Sequence, residues 1–320
     1  EYNAQTIFTF LSKVEPWTDD QDIPTPTSDQ KYVKQVFKNM FVAKKVKTSD
    51  ISPVVPRFDW NSGTIYDYYR DDVDMAEIDS GGNLIYSFYV KNRYDQVFKC
   101  LWNNNGGAST KEPYFEPGSY NTNNIFQGTD GYKWKYIYTV DFGLKVKFMD
   151  DTWLPIPNGI NTPNPLQTSA GAGSIDVINI INPGSEYDAA NAIVTVSIVG
   201  DGTGATAVAN VSGGEIADII VTSPGTNYSY ANVSITSALG SGAVAISPVS
   251  PVGGHGFDPV SELGCRHVMI TTEFNATENG VLPTNIDYHQ VGLMVNPTTI
   301  SDYPIPANGE IYRTTTDIIV

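Results

Sequence analysis

One segment near the N-terminus has the hydrophobic period of a helix. A single apolar stripe with the spacing i, i+1, i+4, i+5, i+8 and i+9 is formed by Tyr32, Val33, Val36, Phe37, Met40 and Phe41. This spacing predicts one amphipathic helix. Ser28 or Asp29 is the predicted N-cap, because both side chains accept hydrogen bonds from the free N–H groups of a first turn. We expect this helix to pack on a sheet.

Most of the remaining chain alternates apolar and polar residues with a period of two. The clearest segments are 136–140, 194–198 and 268–274. Such alternation predicts strands with one buried face, and Gly-rich dipeptides between the segments predict turns. The predicted fold class is therefore mostly β (α+β), with antiparallel β-sheets in several domains, one helix near the N-terminus and an inserted Gly-rich β module.

The Gly-rich module contains an internal repeat. Asn182-Pro183-Gly184-Ser185-Glu186-Tyr187 recurs as Ser223-Pro224-Gly225-Thr226-Asn227-Tyr228, at an offset of 223 − 182 = 41 residues. Two copies are fewer than a solenoid needs, so we predict a small, separable β module with pseudo-symmetry. The predicted domains are an N-terminal α+β body at 1–157, the module at 170–250, and a C-terminal β segment at 251–320 that returns to the body.

Composition restricts the partners. The 320 residues include 19 Lys+Arg and 35 Asp+Glu, for a formal net charge of −16. An acidic surface repels phosphates, so we predict no nucleic-acid partner. No apolar run approaches the roughly 18 residues that span a bilayer, so we predict no membrane partner. Cys100 and Cys265 are far apart in sequence and are predicted to be free thiols, with one long-range disulfide as the alternative.

Residues that could bind a ligand or a metal ion occur in three places. Gly200-Asp201-Gly202-Thr203-Gly204 has the glycines of a phosphate loop, but its spacing is wrong and no Lys follows, so a turn between strands is predicted. Asp71, Asp72 and Asp74 lack the Gly and the distal Glu of a calcium loop and are predicted to form a solvated turn. The possible zinc ligands have no metal-binding spacing: His255, Cys265, His267 and His289.

Catalytic patterns are equally weak. The chain has three His residues and no G-x-S-x-G motif, so a nucleophilic triad is not predicted. Carboxylate pairs of the glycosidase type are not marked by any spacing. We therefore predict that the protein is not an enzyme, with no catalytic residues, no cofactor and no metal site.

Three aromatic and proline motifs lie in the first half of the chain: Glu15-Pro16-Trp17, Pro56-Arg57-Phe58-Asp59-Trp60 and Gly131-Tyr132-Lys133-Trp134-Lys135-Tyr136. In each motif Trp stands beside or near Pro, Asp or Gly, which favour turns. We therefore predict that Trp17, Trp60 and Trp134 are buried at chain corners, where they lock these corners onto a core.

In this order, the three motifs resemble the small, dimeric baseplate wedge protein of T-even-type contractile-tailed bacteriophages. That family has a Thr-Ile-Phe stretch before Glu-Pro-Trp, matched here by Thr6-Ile7-Phe8. A Pro-Arg-x-Asp-Trp corner and a Gly-Tyr-x-Trp-x-Tyr strand follow. The resemblance covers residues 5–150 and, weakly, the region after 250. The inserted module is similar to Pro-Gly-x-x-Tyr modules in virion proteins of marine T-even-type phages, especially cyanophages.

The resemblance implies a structural subunit of the phage tail baseplate wedge, located in the virion after assembly in the host cytoplasm. Its implied partners are a second copy of itself, as a homodimer, and other wedge subunits. A carbohydrate-binding or receptor-binding tail protein is the alternative, indicated by the many Tyr residues and the β modules. That alternative needs exposed aromatic side chains, so the exposure of the three motif tryptophans discriminates the two. A secreted hydrolase would need a cleft with paired carboxylates and a signal peptide.

Overall fold

The computed structural model describes residues 6–25, 27, 29–119, 124–157, 171–188, 190–274, 285–295, 298–300, 303–305 and 311–313. Antiparallel strands dominate these residues and helices are few, which confirms the predicted mostly-β class. The chain divides into two compact units, Glu1–Ile51 with Met269–Val320, and Ser52–Val268. The division at 1–157, 170–250 and 251–320 stays a prediction, since its linker at 158–170 lies outside the described residues.

The strands and helices are short and are numbered here in chain order. The strands are β1 (Ile7–Ser12), β2 (Met40–Lys45), β3 (Ile51–Pro56), β4 (Tyr89–Lys91), β5 (Gln96–Asn103), β6 (Ile125–Gln127), β7 (Tyr132–Thr139), β8 (Trp153–Pro155), β9 (Asn179–Asn182), β10 (Thr195–Gly200), β11 (Thr203–Ser212), β12 (Glu215–Thr226), β13 (Ala231–Thr236), β14 (Val244–Ile246), β15 (His267–Ile270), β16 (Gln290–Val295), β17 (Thr298–Ile300), β18 (Tyr303–Ile305) and β19 (Ile311–Arg313). The helices are α1 (Gln30–Asn39), α2 (Phe142–Phe148) and α3 (Pro259–Glu262), with a 3-10 turn at Thr48–Asp50.

The first unit is a four-stranded antiparallel sheet, in the order β19-β16-β1-β2, with α1 packed on it. Asp29 caps α1 by accepting a hydrogen bond from the backbone N–H of Tyr32 at 3.3 Å, as predicted for one of the two candidate caps. The other candidate, Ser28, lies outside the described residues. Val36 packs against Phe10 of β1 and Met294 of β16. The predicted contact of the helix with a sheet is confirmed.

The C-terminal end of the predicted apolar stripe is not helical. Met40 has extended backbone angles and begins β2, so it and Phe41 belong to a strand. Met40 pairs with Ser12 of β1, and Phe41 is 52% exposed. Pairing with β1 therefore ends the helix at Asn39, two residues before the end of the predicted stripe.

The second unit is built on a four-stranded antiparallel sheet, in the order β4-β5-β7-β6. All of β5 and all but the last residue of β7 are buried. The prediction of one buried face for 136–140 was therefore wrong: β7 is covered on both faces. Tyr132, Trp134 and Tyr136 belong to one aromatic cluster, and Ile137 and Tyr138 belong to a second.

The glycine-rich module forms one long β-hairpin that bends in the middle. β10 pairs with β13 from Thr195↔Thr236, and β11 pairs with β12 from Thr203↔Thr226. The bend is at Asp201 and Gly202, between β10 and β11, so the predicted turn is limited to these two residues and the rest of the stretch 200–204 is strand. β14 and β9 extend the β10-β13 pair into a sheet. Small and branched apolar side chains fill the core of the module.

The two repeat copies bind each other reciprocally. The N–H of Tyr187 donates to the carbonyl of Gly214, and the N–H of Tyr228 donates to the carbonyl of Gly173, both at 3.0 Å. Likewise, the N–H of Ile216 donates to Pro183 and that of Ile175 to Pro224, at 3.0 and 2.8 Å. In each of these two pairs of bonds, the two donors are 41 residues apart in the sequence, and so are the two acceptors. The predicted pseudo-symmetry is confirmed.

The two repeat tyrosines have equivalent environments. Tyr187 and Tyr228 are 4% and 7% exposed in the same core. Their hydroxyl oxygens accept hydrogen bonds from the N–H groups of Ala243 and Ala205, each at 3.3 Å. A Cβ atom added to Gly240 would lie 2.6 Å from the Tyr187 ring, so only glycine fits beneath it.

Candidate functional site

The Glu15-Pro16-Trp17 motif fastens the end of β1 to the segment that leads into β16. The indole Nε1 of Trp17 donates to the carbonyl of His289 at 2.7 Å. The Lys13 ammonium lies 4.4 Å from the centre of the Trp17 ring and donates to the carbonyls of Glu15 and Pro16. Trp17 is half-buried, whereas Glu15 and Pro16 are exposed. The motif is a corner, as predicted, but its Trp is only partly covered.

The Pro56-Arg57-Phe58-Asp59-Trp60 motif is a corner between β3 and β4. The Arg57 guanidinium donates two hydrogen bonds to the Asp59 carboxylate, at 3.1 and 2.7 Å, and a third to the carbonyl of Asp150 at 2.6 Å. The half-buried Trp60 donates through Nε1 to the hydroxyl of Ser109 at 3.0 Å. Each polar group of the motif therefore fixes a different segment.

A row of alternating charges starts at this corner. Lys91 Nζ lies 3.2 Å from Asp59 and 3.6 Å from Asp95, and Asp95 lies 2.7 Å from Lys145 Nζ at the end of α2. Burial alone would raise the pKa of Asp59, but Arg57 and Lys91 outweigh it and lower that pKa. The row ties β3, the β4–β5 turn and α2 together.

The Gly131-Tyr132-Lys133-Trp134-Lys135-Tyr136 motif is the first part of β7. Gly131 has φ +81°, and a Cβ there would lie 2.6 Å from the Asn104 side chain, so glycine is required. Tyr132 and Trp134 stack at 5.5 Å, and Tyr66 meets Trp134 edge-on at 5.4 Å. Trp134 is fully buried. The burial prediction is confirmed for Trp134, but its corner position was wrong, because it lies inside a strand.

The two lysines of this motif hold the glycine-rich module. Lys133 Nζ donates to the carbonyl of Ile178 at 3.0 Å and to Asp218 at 3.1 Å. Lys135 Nζ donates to Asp176 at 2.8 Å. Alternate side chains of a strand point to opposite faces, so these lysines lie on the face opposite Trp134. They are 7% and 8% exposed, because the module covers them.

A third buried lysine anchors the segment that follows the module. Lys99 of β5, which is fully buried, donates to Glu262 at 2.8 Å, and its Nζ lies 3.2 Å from Nδ1 of His255. The His255 ring also lies edge-on to Tyr69 at 4.9 Å. The Lys99 ammonium stands 3.7 Å from the centre of the same Tyr69 ring. We call Lys99, His255 and Glu262 the buried ionic cluster.

The environment fixes the charges in this cluster. Burial lowers the pKa of Lys99, while Glu262 opposes that shift. Burial and the Lys99 charge lower the pKa of His255 below its usual 6.5. Burial alone would raise the pKa of Glu262, but Lys99 and His255 outweigh it and lower that pKa to about 2. The side chains of Lys99, His255 and Glu262 are 0%, 2% and 3% exposed, so the whole cluster is buried.

The other candidates from the sequence are separately engaged. Asp71 accepts from the N–H of Val249 at 3.0 Å, Asp72 pairs with Arg70 at 2.7 Å, and Asp74 accepts from the N–H of Ala76 at 2.9 Å. Within the described ranges, no group of three or more His, Cys, Asp or Glu side chains is arranged to hold a metal ion. Cys100 and Cys265 are free thiols. None of the helices in the described part of the chain has the length and apolar character needed to cross a membrane.

Sequence reasoning missed the residues that join the module, and the segment that follows it, to the β4-β5-β7-β6 sheet. The residues in question are Lys99, Lys133, Lys135, Asp176, Asp218 and Glu262. The one available signal was a lysine between aromatic residues in a strand, a pattern that is also typical of a solvent-facing strand. Comparison of the chain with protein-family models and with curated proteins found no match.

Proposed function

We propose that this protein is a structural subunit of a phage tail baseplate wedge. It works through protein–protein interfaces in virion assembly, without enzymatic activity or a cofactor. The observation that carries the proposal is the ordered series of three motifs that resembles this family. In the structure each motif holds remote segments together, through Trp17, through Arg57 with Trp60, and around Trp134.

The burial and mutual pairing of the ionisable side chains support a structural role. Catalysis needs an acid, base or nucleophile that a substrate can reach. The ionisable groups Lys99, His255 and Glu262 are instead buried and pair with each other. The same pattern holds at Lys135 and Asp176, which are 10% and 11% exposed in their side chains. These pairs join segments of the chain and offer no access to a reactant.

The exposed apolar side chains support assembly through surfaces. Among the residues that the structure describes, four large apolar side chains are at least 70% exposed: Phe142, Val146, Ile193 and Val252. Because the chain carries a net charge of −16, contacts between copies are favoured where apolar or oppositely charged groups meet. We propose a homodimer with a two-fold, self-complementary interface, gripped by other wedge subunits. A stable interface of this kind buries about 1,200–2,000 Å².

A carbohydrate-binding or receptor-binding tail protein is the second candidate. Trp134 is fully buried and cannot contact a sugar, whereas Trp17 and Trp60 are half-buried and donate their indole N–H groups to hydrogen bonds inside the chain. One other aromatic pair, the exposed Tyr94 and the half-buried Tyr114, favours a sugar contact.

Cryo-electron microscopy of the intact particle tests the proposal. We expect this chain in the baseplate, with two contacting copies in each wedge. A position at the tip of a distal fibre, or a single copy per wedge without a contacting twin, would contradict it. Sedimentation of the purified chain is an independent measurement of the dimer.

A further inference from the structure

Two buried amide side chains fasten a loop onto the turn between β4 and β5. Asn92 and Gln96, on either side of the turn, are 1% and 2% exposed. Asn92 Nδ2 donates to the carbonyl of Pro113 at 2.9 Å, and Gln96 Nε2 donates to the carbonyl of Phe115 at 2.6 Å. Asn92 Nδ2 also donates to Gln96 Oε1 at 3.0 Å. The loop and the turn are therefore locked as one rigid element.

This rigid element presents a pair of tyrosines on the surface. The rings of Tyr94, from the turn, and Tyr114, from the loop, have centroids 4.6 Å apart and are tilted by 45°. Tyr94 is 53% exposed. The same loop carries Phe115, which packs against Phe98 and Phe126 in the core, so the two amides fix both a core side chain and the surface ring of Tyr94.

Charged groups surround the two rings. The Arg93 guanidinium lies 5.7 Å from the centre of the Tyr94 ring, and its side chain is 69% exposed. Its Nε donates to Glu112 at 2.6 Å, and no hydrogen bond from its Nη1 is formed with the described residues. The Tyr114 hydroxyl donates to Glu116 at 2.6 Å. Hydrogen-bond donors and acceptors thus flank the half-exposed Tyr94 ring.

We propose that Tyr94, Tyr114, Arg93 and Glu116 form a binding site for a single pyranose ring of a carbohydrate. The apolar C–H face of the sugar packs on the Tyr94 ring. Its hydroxyl groups donate to the Glu116 carboxylate and accept from Arg93. The locked turn and loop place these groups before the sugar arrives, which reduces the entropy lost on binding. This site is independent of the role in a baseplate.

Ligand-observed saturation-transfer NMR on the full chain tests the site. The probes are the methyl glycosides of galactose, glucose and mannose, each at millimolar concentration. We expect transfer to the ring C–H protons of at least one of them. Tyr94→Ala should abolish the transfer or weaken the affinity by about tenfold or more, while Tyr94→Phe should retain it because the ring remains.

Tyr230→Ala is the matched control, since Tyr230 is also a surface tyrosine, 55% exposed, in the module. It should leave the transfer unchanged. Circular dichroism should show that all three variants are folded. Absence of transfer from all three sugars, retained transfer in Tyr94→Ala, or its loss in Tyr230→Ala would each overturn the site. None of these outcomes bears on where the chain lies in a virion.

Discussion

The central sheet of the second unit and the glycine-rich module are both antiparallel, but they are stabilised differently. In the central sheet, β5 is buried along its whole length. Its neighbour β7 contributes Tyr132, Trp134 and Tyr136 to one buried aromatic cluster. In the module, β11 and β13 alternate between exposed and half-buried positions, and the core consists mainly of Ala, Val and Ile. The central sheet is therefore covered on both faces, whereas the strands of the module are covered on one face only.

This difference shows what polar residues require when both faces of a sheet are covered. A polar residue on the open face of the module stays in water, as Thr206 and Thr222 do while they share a hydrogen bond at 2.7 Å. A lysine on the covered face of the central sheet needs an ionic partner, because an unpaired buried charge is strongly unfavourable. Lys99, Lys133 and Lys135 each have one.

Removal of the module is the largest test of this comparison. We expect a chain with 170–250 replaced by a short Gly/Ser linker to remain folded, since the Trp134 cluster contains no module residue and the exposed lysines would regain water. Its melting temperature should fall, because Val177 and the cover over β7 are lost. Far-UV and near-UV circular dichroism measure this. Complete unfolding of the variant would show that the two regions form one continuous core.

Truncation of one large side chain in each region compares their cores. Trp134→Ala should cost about 3–5 kcal/mol of the free energy of unfolding, because it leaves a cavity between Tyr66 and Tyr132. Val233→Ala in the half-buried core of the module should cost about 1–2 kcal/mol. Urea denaturation gives both values. Equal losses would remove the distinction between the regions.

Acid should weaken the central sheet through the buried ionic cluster. The pKa of His255 is lowered from 6.5, so the unfolded chain takes up a proton first as the pH falls below 6.5. Each pH unit below that value should then cost up to about 1.4 kcal/mol until the folded pKa is reached. Glu262 adds a further loss between its usual 4.5 and about 2.

The variant His255→Gln isolates the first of these losses. Its free energy of unfolding, measured in urea from pH 7 down to pH 5, should vary less with pH than that of the unaltered chain. The same pH dependence in both proteins would mean that His255 is not responsible.

The smallest expected effect tests the symmetry of the module. Tyr187→Phe and Tyr228→Phe each remove one hydroxyl that accepts from a backbone N–H, of Ala243 and Ala205 respectively. Each should cost about 1 kcal/mol, and the two costs should be equal within error. Thermal denaturation of the two variants side by side checks this. A clear difference would show that the two tyrosine hydroxyls contribute unequally to the stability of the module.

The sequence by itself determined the local elements and the repeat. The apolar period and the Asp29 cap predicted α1, because these signals act within a few residues. The Pro-Gly turns of the repeat were also readable, since Gly184 and Gly225 supply the positive φ angles of 69° and 63° that such turns need.

Only the tertiary structure decided which strand faces are covered and which charges are paired. Lys133 meets Asp218 across 85 residues, and Lys99 meets Glu262 across 163. A period-two pattern gives the same alternation whether the polar face meets water or another domain. Burial on the second face depends on what packs there, and no local signal in the strand carries that information.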